Sequence, residues 1–185
     1  MTATGPAGSE CPEFDAARFL EIWCAPEGTE VTIRPINARD AALEVEFLSG
    51  LSQETLYQRV LSSRKLLPGE LKRLIRIDYV REMALLATIG AESAEKAVGV
   101  ARYVGNADGT ECEFAIVIAD AWQGKGLGAK LLGCLADIAR ATGFQRIVGS
   151  TFATNEAMKR LARKLGFTTQ LDPSDSTVTV LSKSL

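Results

Sequence analysis

A glycine-rich stretch near the middle of the chain carries the clearest chemical signal. It reads Trp122-Gln-Gly-Lys-Gly-Leu-Gly128 and lies between an apolar, β-rich run and a run of leucines at helical spacing. A strand, a glycine turn and a helix start bring backbone N–H groups and the positive end of a helix dipole to one point. Glycines let the backbone approach an anion closely, so this stretch predicts a phosphate site.

Two common phosphate loops compete for this stretch, and a third interpretation is a glycine turn without a ligand. A Walker loop requires Ser or Thr after Gly124-Lys125, and Gly126 stands there. The spacing of Gly124, Gly126 and Ala129 satisfies a permissive dinucleotide fingerprint. However, no acidic residue follows about 20 positions on, and the preceding strands are typical of an antiparallel meander. Both of these loops are therefore disfavoured.

The chain contains no histidine, which limits its acid–base chemistry. Ser-His-Asp and Cys-His nucleophile systems and HExxH zinc sites are excluded, so proton transfer falls to Glu, Asp, Lys, Tyr, Cys or water. The four cysteines form no CxxC pair, and we expect them to be reduced, structural and without metal: Cys11, Cys24, Cys112 and Cys134. Cys134 lies among leucines and is better explained as core than as an acyl carrier.

Composition indicates a globular domain rather than a disordered or fibrous chain. The protein has 185 residues, 46% of them apolar and 24% charged, and a net charge of −2. The acidic balance argues against nucleic-acid binding. No long apolar run or signal-like start is present, so we expect no membrane span and a cytoplasmic location.

The elements that must position the glycine loop follow from periodicity and turn residues. Residues 1–13 are small and polar and predict a flexible leader, with a single domain over 14–185. The order is one strand, two or three helices, a three-strand meander, a helix, a strand, a helix and two strands. One of the early helices is placed behind Pro68, and Phe14–Trp23 is expected as a short amphipathic piece. This order indicates a mixed α/β (α+β) fold.

Read as Gln123-x-x-Gly126-x-Gly128, the loop resembles the acyl-CoA pyrophosphate motif of the GNAT superfamily of N-acetyltransferases. The resemblance covers about Val31 to Leu181. It implies a mixed, mostly antiparallel sheet of about six to seven strands, splayed at the acyl-CoA site and flanked by about four helices. A closer resemblance, to the acetyltransferase module of bacterial protein lysine acetyltransferases, is carried by four segments: residues 30–36, 51–59, 77–84 and 113–128.

The resemblance implies acetyl-CoA as the donor. The residues implied to bind it are Ala115, Ile116, Val117 and Ile118 on the strand, then Gln123, Gly124, Lys125, Gly126, Leu127, Gly128 and Ala129 in the loop, and Asn155. The strand backbone would pair with the pantetheine and stabilise the oxyanion. Lys125 is equally explained as an exposed, solvated lysine, and Asn155 as a helix cap alone.

Alternation along residues 111–118 places Glu111, Glu113, Ala115 and Val117 on one face of the strand. Glu113 matches the family's glutamate base, and Glu111 is the reserve candidate. The alternative for Glu113 is a salt-bridged strand-edge carboxylate. No tyrosine follows Tyr103, so the general acid is unassigned.

Tyr57, Arg59 and the Arg64-Lys65 pair are expected to shape the acceptor side, or else to form a solvated basic face. The acceptor implied by the resemblance is a protein lysine. A small-molecule amine is the second possibility, and a non-catalytic acyl-CoA-binding module is the third. The sequence indicates neither the oligomeric state nor the acyl-chain preference.

Overall fold

One mixed sheet of eight strands organises the protein. The computed structural model describes residues 15–59, 77–91 and 94–185. The strands are β1 Glu21–Cys24, β2 Glu30–Pro35, β3 Glu82–Ile89, β4 Lys96–Gly105, β5 Glu111–Ile118, β6 Arg146–Phe152, β7 Thr168–Leu171 and β8 Val178–Ser184. Their order is β1-β2-β3-β4-β5-β6-β8-β7, and the pairs are antiparallel except β5–β6. The predicted fold class is confirmed.

Four α-helices lie in the described parts of the chain: α1 Ala41–Ser49, α2 Gln53–Arg59, α3 Leu127–Ala141 and α4 Glu156–Lys164. The sheet has one strand more than the six to seven expected. The extra strand, β1, occupies part of the segment predicted as an amphipathic piece. It pairs with β2 through a tight turn in which Gly28 N donates to Ala25 O. Four residues are too short a run to show strand alternation. The predicted leader over 1–13 and the helix behind Pro68 lie outside the described residues.

The two faces of the sheet carry different layers. The larger core lies under α3 and α4, and the apolar side of α3 fills it with Leu127, Leu131, Leu132, Leu135 and Ile138. A smaller cluster on the other face packs beneath α1 around Phe47, Leu86, Val100 and Val117. The predicted alternation of β5 is confirmed, because Cys112 and Phe114 belong to the first core and Val117 to the second.

The sheet opens between its two central strands. β5 pairs with β6 only from Glu111↔Arg146 to Glu113↔Val148. Beyond that point β5 stays paired with β4 as far as Ile118, and β6 stays paired with β8 as far as Phe152. The two strands therefore diverge after residue 113, and one backbone edge of β5 has no strand partner there among the described residues.

An aromatic ring lies where the strands begin to diverge. A Cβ built on Gly149 of β6 would lie 2.6 Å from the ring of Phe114 on β5. The same ring meets Phe167 edge-on, with centroids 5.4 Å apart. Only a residue without a side chain leaves room for this buried ring beside β6.

We expect Gly149→Ala to destabilise the fold by about 1–3 kcal/mol, because the added methyl overpacks against Phe114 in a rigid core. Gly133 offers a matched control, since it lies in the middle of α3 and a Cβ there meets nothing within 4 Å. Gly133→Ala should stabilise by up to about 1 kcal/mol through helix propensity. Urea denaturation of the two variants measures the difference, and equal stabilities would contradict this account of the opening.

Candidate functional site

A cleft of about 610 Å³ lies at the divergence of β5 and β6. Its walls come from five segments that are distant in sequence: α2, the end of β5, the glycine loop, β6 and the start of α4. The lining residues are Glu54, Thr55, Gln58, Arg59, Ile116, Val117, Ile118, Gln123, Gly124, Gly126, Gly128, Ala129, Thr151, Thr154, Asn155, Glu156, Ala157, Met158, Arg160, Leu161 and Lys164. Most of the residues implied by the motif are thus brought together in one place.

The glycine loop exposes the start of α3 to the cleft. Gly124 and Gly126 have φ angles of +74° and +98°, a region that side-chain-bearing residues rarely adopt. Gly126 is the N-cap of α3, and no side chain caps the helix there. A Cβ on Gly128 would lie 3.3 Å from Leu161 of α4, so α3 packs closely against its neighbour. The arrangement leaves backbone N–H groups and a helix dipole available to an anion.

Polar side chains hold α2 against the end of β5. The Asp120 carboxylate accepts from Ser52 N, Ser52 Oγ and Thr55 Oγ1 at 2.7–2.9 Å. These hydrogen bonds lower the pKa of Asp120 to about 2. Gln123 Nε2 donates to Thr55 Oγ1 and to Ile118 O, both at 3.1 Å. Gln123 therefore braces the cleft wall as well as lining it. Of these residues, only Gln123 was among those predicted to contact the donor.

An aromatic stack fixes the far side of α2. Tyr57 lies flat on Phe152 of β6, with centroids 4.8 Å apart and an interplanar angle of 6°. The helix therefore spans the divergence, tied to β5 by Gln123 and to β6 by Tyr57. Tyr57 is 58% exposed and does not line the cleft. Its predicted contact with an acceptor stays a prediction.

Arg59 is part of a buried charge cluster rather than of a solvated basic face. Its side chain lines the cleft and is only 7% exposed. Burial and the nearby charge of Arg102 lower the pKa of Arg59 to about 10. Arg102 in turn donates to the buried Glu44 carboxylate of α1 at 2.7 Å. The alternative of a solvated face is wrong for Arg59, because its side chain is buried. Arg64 and Lys65 lie outside the described residues.

Two buried polar atoms in the cleft wall have no hydrogen-bond partner among the described residues. They are Gln58 Oε1 on α2 and Thr151 Oγ1 on β6. Around them the cleft is apolar, with Ile116, Met158 and Leu161. Buried acceptors of this kind are normally satisfied, so a ligand with amide N–H groups suits the cleft.

The N-terminus of α4 forms the wall opposite α2. Asn155 Oδ1 accepts from Met158 N at 3.0 Å, so Asn155 is a helix cap, and its amide N–H₂ stays available to a ligand. Arg160 and Lys164 also line the cleft and were not predicted. Their four-residue spacing places both on the helix face that carries Leu161, a signal that a helical projection of residues 156–164 contains. Their charges favour an anionic ligand.

The two candidate carboxylates differ in their surroundings. Glu111 forms an ion pair with Arg146 Nε on β6. Glu113 is exposed and forms no ion pair with any described residue. It stands opposite Val104 and Val148, at the last position where β5 and β6 are joined. The predicted alternative of a salt-bridged strand-edge carboxylate therefore describes Glu111. Glu113 is the free carboxylate beside the opening.

Three residues expected to contact the donor do not line the cleft. Lys125 Nζ pairs with Glu27 at 2.6 Å and lies 4.9 Å above the Trp122 ring. Leu127 is fully buried at the start of α3. Ala115 lies on β5 between Glu113 and the first lining residue, Ile116. Exposed ion pairs are weak, so the pair with Glu27 leaves a phosphate contact by Lys125 as a prediction.

The described residues contain no group of three or more His, Cys, Asp or Glu side chains placed to hold a metal ion. Among the helices of residues 15–59, 77–91 and 94–185, none is long and apolar enough to cross a membrane.

Comparison with known proteins agrees with this geometry. Residues 30–168 match the family described as acetyltransferase (GNAT) domain. The chain belongs to the GNAT acetyltransferase family. A relative named Acetyltransferase PA5475, from Pseudomonas aeruginosa, is 38% identical over 152 residues, which cover 82% of each chain. The protein is accordingly an acetyl-CoA-dependent N-acetyltransferase.

Two further relatives of this GNAT chain carry the name Pat or PAT. Acetyltransferase Pat of Mycolicibacterium smegmatis is 31% identical over 135 residues, 72% of this chain but only 40% of Pat. The crystal structure of the GNAT domain of S. lividans PAT superposes with a TM-score of 0.80 at 26% identity, covering 90% of this chain and 97% of that one. The GNAT chain thus spans less than half the length of Pat.

The bonds to Asp120 predict a pH dependence of stability. The pKa of this carboxyl falls from its ordinary 3.8 to about 2 on folding. A depressed pKa contributes stability above the unfolded value, and the contribution is lost as the pH falls toward 2. We expect Asp120→Asn to be less stable than the parent at pH 6, and the gap to narrow below about pH 4. Urea denaturation across pH 3–6 measures the difference in free energy of unfolding between the parent and the variant. A difference that does not change with pH would contradict the lowered pKa of Asp120.

Proposed function

We propose that this GNAT enzyme transfers the acetyl group of acetyl-CoA to the side-chain amine of protein lysines, with Glu113 as general base. One observation carries the proposal: Glu113 is the free carboxylate at the point where β5 and β6 part. Support for a protein acceptor comes from segments that resemble bacterial protein lysine acetyltransferases and from the relative named Acetyltransferase Pat.

The cleft suits the donor from one end to the other. The N-terminus of α3, together with Arg160 and Lys164, offers positive charge for the phosphates. The free edge of β5 and the buried acceptors Gln58 and Thr151 offer hydrogen bonds for the amides of pantetheine. This order directs the thioester toward the narrow end of the divergence, where Glu113 lies.

The acceptor amine is an ammonium at neutral pH and must lose a proton before it can attack. Glu113 takes that proton, directly or through a water molecule. The amine nitrogen then forms a bond to the acetyl carbon, and the C–S bond to CoA breaks. Backbone N–H groups on the free edge of β5 stabilise the oxyanion that forms in between. The nitrogen releases its second proton to solvent as the amide forms. The CoA sulfur leaves as a thiolate, which takes a proton from solvent, so the chemistry requires no tyrosine in the described cleft.

The acceptor class is tested by labelled acetyl-CoA. Incubation of the enzyme with a cell lysate and isotopically labelled acetyl-CoA should place the label on lysine side chains of proteins, read by mass spectrometry. Label confined to small molecules would replace the protein acceptor with a small-molecule amine. Binding of acetyl-CoA without any transfer would favour an acyl-CoA-binding regulatory module.

We expect Gly126→Glu to abolish acetyl-CoA binding, because its side chain places negative charge at the N-cap of α3. The variant Gly109→Glu is the control for backbone strain. Gly109 also has a positive φ, +73°, and lies in the β4–β5 turn with open space around it. Calorimetry should show acetyl-CoA binding by the parent and the control only. Binding by the Gly126 variant would remove the glycine loop from the site.

For the base, Glu113→Gln should lower kcat by about 10²- to 10⁴-fold while acetyl-CoA affinity is retained. The amide keeps the shape of the side chain but cannot accept the proton. The acid limb of the pH–rate profile should flatten as well. Glu111→Gln, which weakens the pair with Arg146, is the matched control and should retain turnover. The reverse result would move the role to Glu111.

A further inference from the structure

A row of four side chains crosses the sheet at the narrow end of the cleft. Glu82 on β3 is opposite Val104 on β4, Val104 is opposite Glu113 on β5, and Glu113 is opposite Val148 on β6. Residues opposite each other share a face. We call Glu82, Val104, Glu113 and Val148 the acidic row.

The acidic row faces away from the main core. The neighbours Met83, Tyr103 and Cys112 are buried beneath α3, so the row lies on the α1 and α2 face of the sheet. One step further along the strands, Arg102 is buried with Glu44 of α1. The acidic row is therefore the margin that α1 does not cover. Val104, 50% exposed, is an apolar surface between two carboxylates.

The turn before β3 holds Glu82 in place. The Asp78 carboxylate accepts from the backbone N–H groups of Val80, Arg81 and Glu82 at 2.8–2.9 Å. Tyr79 is the one non-glycine residue of the described chain with a positive φ, 59°, and its hydroxyl donates to Ile36 O at 3.0 Å. Strain of this kind persists where surrounding contacts determine the backbone. Glu82 accordingly starts its strand from a fixed position.

Spacing relates the two carboxylates to a peptide. Neighbouring strands lie about 4.8 Å apart, so the Cα atoms of Glu82 and Glu113, two strands apart, are separated by about 10 Å. In an extended peptide, residues two positions apart are separated by about 7 Å and point to the same face. Two cationic side chains at such positions reach both carboxylates, and their aliphatic stems lie across Val104.

We propose that the acidic row selects acceptor lysines that have a second Lys or Arg two residues away. The acceptor amine reaches Glu113, and the second cation pairs with Glu82. Other acidic groups nearby are engaged, since Glu111 pairs with Arg146 and Asp78 accepts three backbone N–H bonds. Glu82 lies near the charge of Arg102, which is already paired with Glu44. The proposal rests on the proposed function and names the substrate that the site prefers.

Two peptides that differ in one residue test this selection. Each contains one lysine, followed two positions later by Arg in one peptide and by Gln in the other. Steady-state kinetics with acetyl-CoA should favour the Arg peptide in kcat/KM by about two- to five-fold, the range expected for one partly exposed ion pair. The preference should lie in KM, because the second cation takes no part in the chemistry.

The Glu82→Gln variant should lose the preference while its kcat on the Gln peptide and its acetyl-CoA affinity match the parent. Glu30→Gln is the matched control, since Glu30 is an exposed glutamate on β2, near the opposite end of β3 from Glu82. It should keep the preference. A loss of sequence discrimination with unchanged affinity for acetyl-CoA separates recognition from a general structural defect.

Several results would overturn the inference. The parent could acetylate both peptides equally, or Glu82→Gln could retain the preference. A free diamine such as 1,4-diaminobutane could outcompete both peptides, which would assign the acidic row to a small dication. Equal acetylation of the peptides leaves the proposed function intact. Failure to acetylate any peptide, with acetyl-CoA bound, overturns the protein acceptor itself.

Discussion

The loss of pairing between β5 and β6 after Glu113 is the constraint on which the site depends. Each strand remains held by its other neighbour, so the opening is rigid rather than frayed. A strand edge that is buried in a sheet normally satisfies its N–H and C=O groups by pairing. Here one edge of β5 is left for a ligand, at the place where a free carboxylate ends the pairing. The same break therefore opens the cleft that we propose for the donor and locates the carboxylate that we propose as the base.

The two faces of the sheet carry groups of opposite charge near the opening. On one face, α3 and α4 present helix N-termini and the basic side chains Arg160 and Lys164, which suit anionic groups. On the other face, the acidic row presents Glu82 and Glu113, which suit cations. In the reaction that we propose, a donor rich in phosphate and an acceptor carrying an ammonium are drawn to opposite sides of the sheet and meet at its opening. Charge separation of this kind guides each substrate to its own side.

Local patterns in the sequence predicted what depends on local structure. Glycines, strand alternation and helix caps identified the loop at 123–129, the face that carries Glu113 and the cap at Asn155. Contacts between distant segments left no such pattern. Nothing in the spacing indicates that Asp120 binds Ser52, that Lys125 pairs with Glu27, or that Tyr57 stacks on Phe152. These partners are 68 to 98 residues apart, so only the topology of the sheet brings them together.

The way α2 is attached has a consequence for the cleft it covers. In the described part of α2, Gln53–Arg59, Arg59 is the one buried side chain. Its position depends on the bonds to Asp120, on Gln123 and on the Tyr57–Phe152 stack. All of these contacts are exposed, and each stabilises the position of α2 less than burial of an apolar helix face would. Among the described residues, the contacts that define the opening belong to the strands, and those that hold the wall over it join α2 to the ends of β5 and β6.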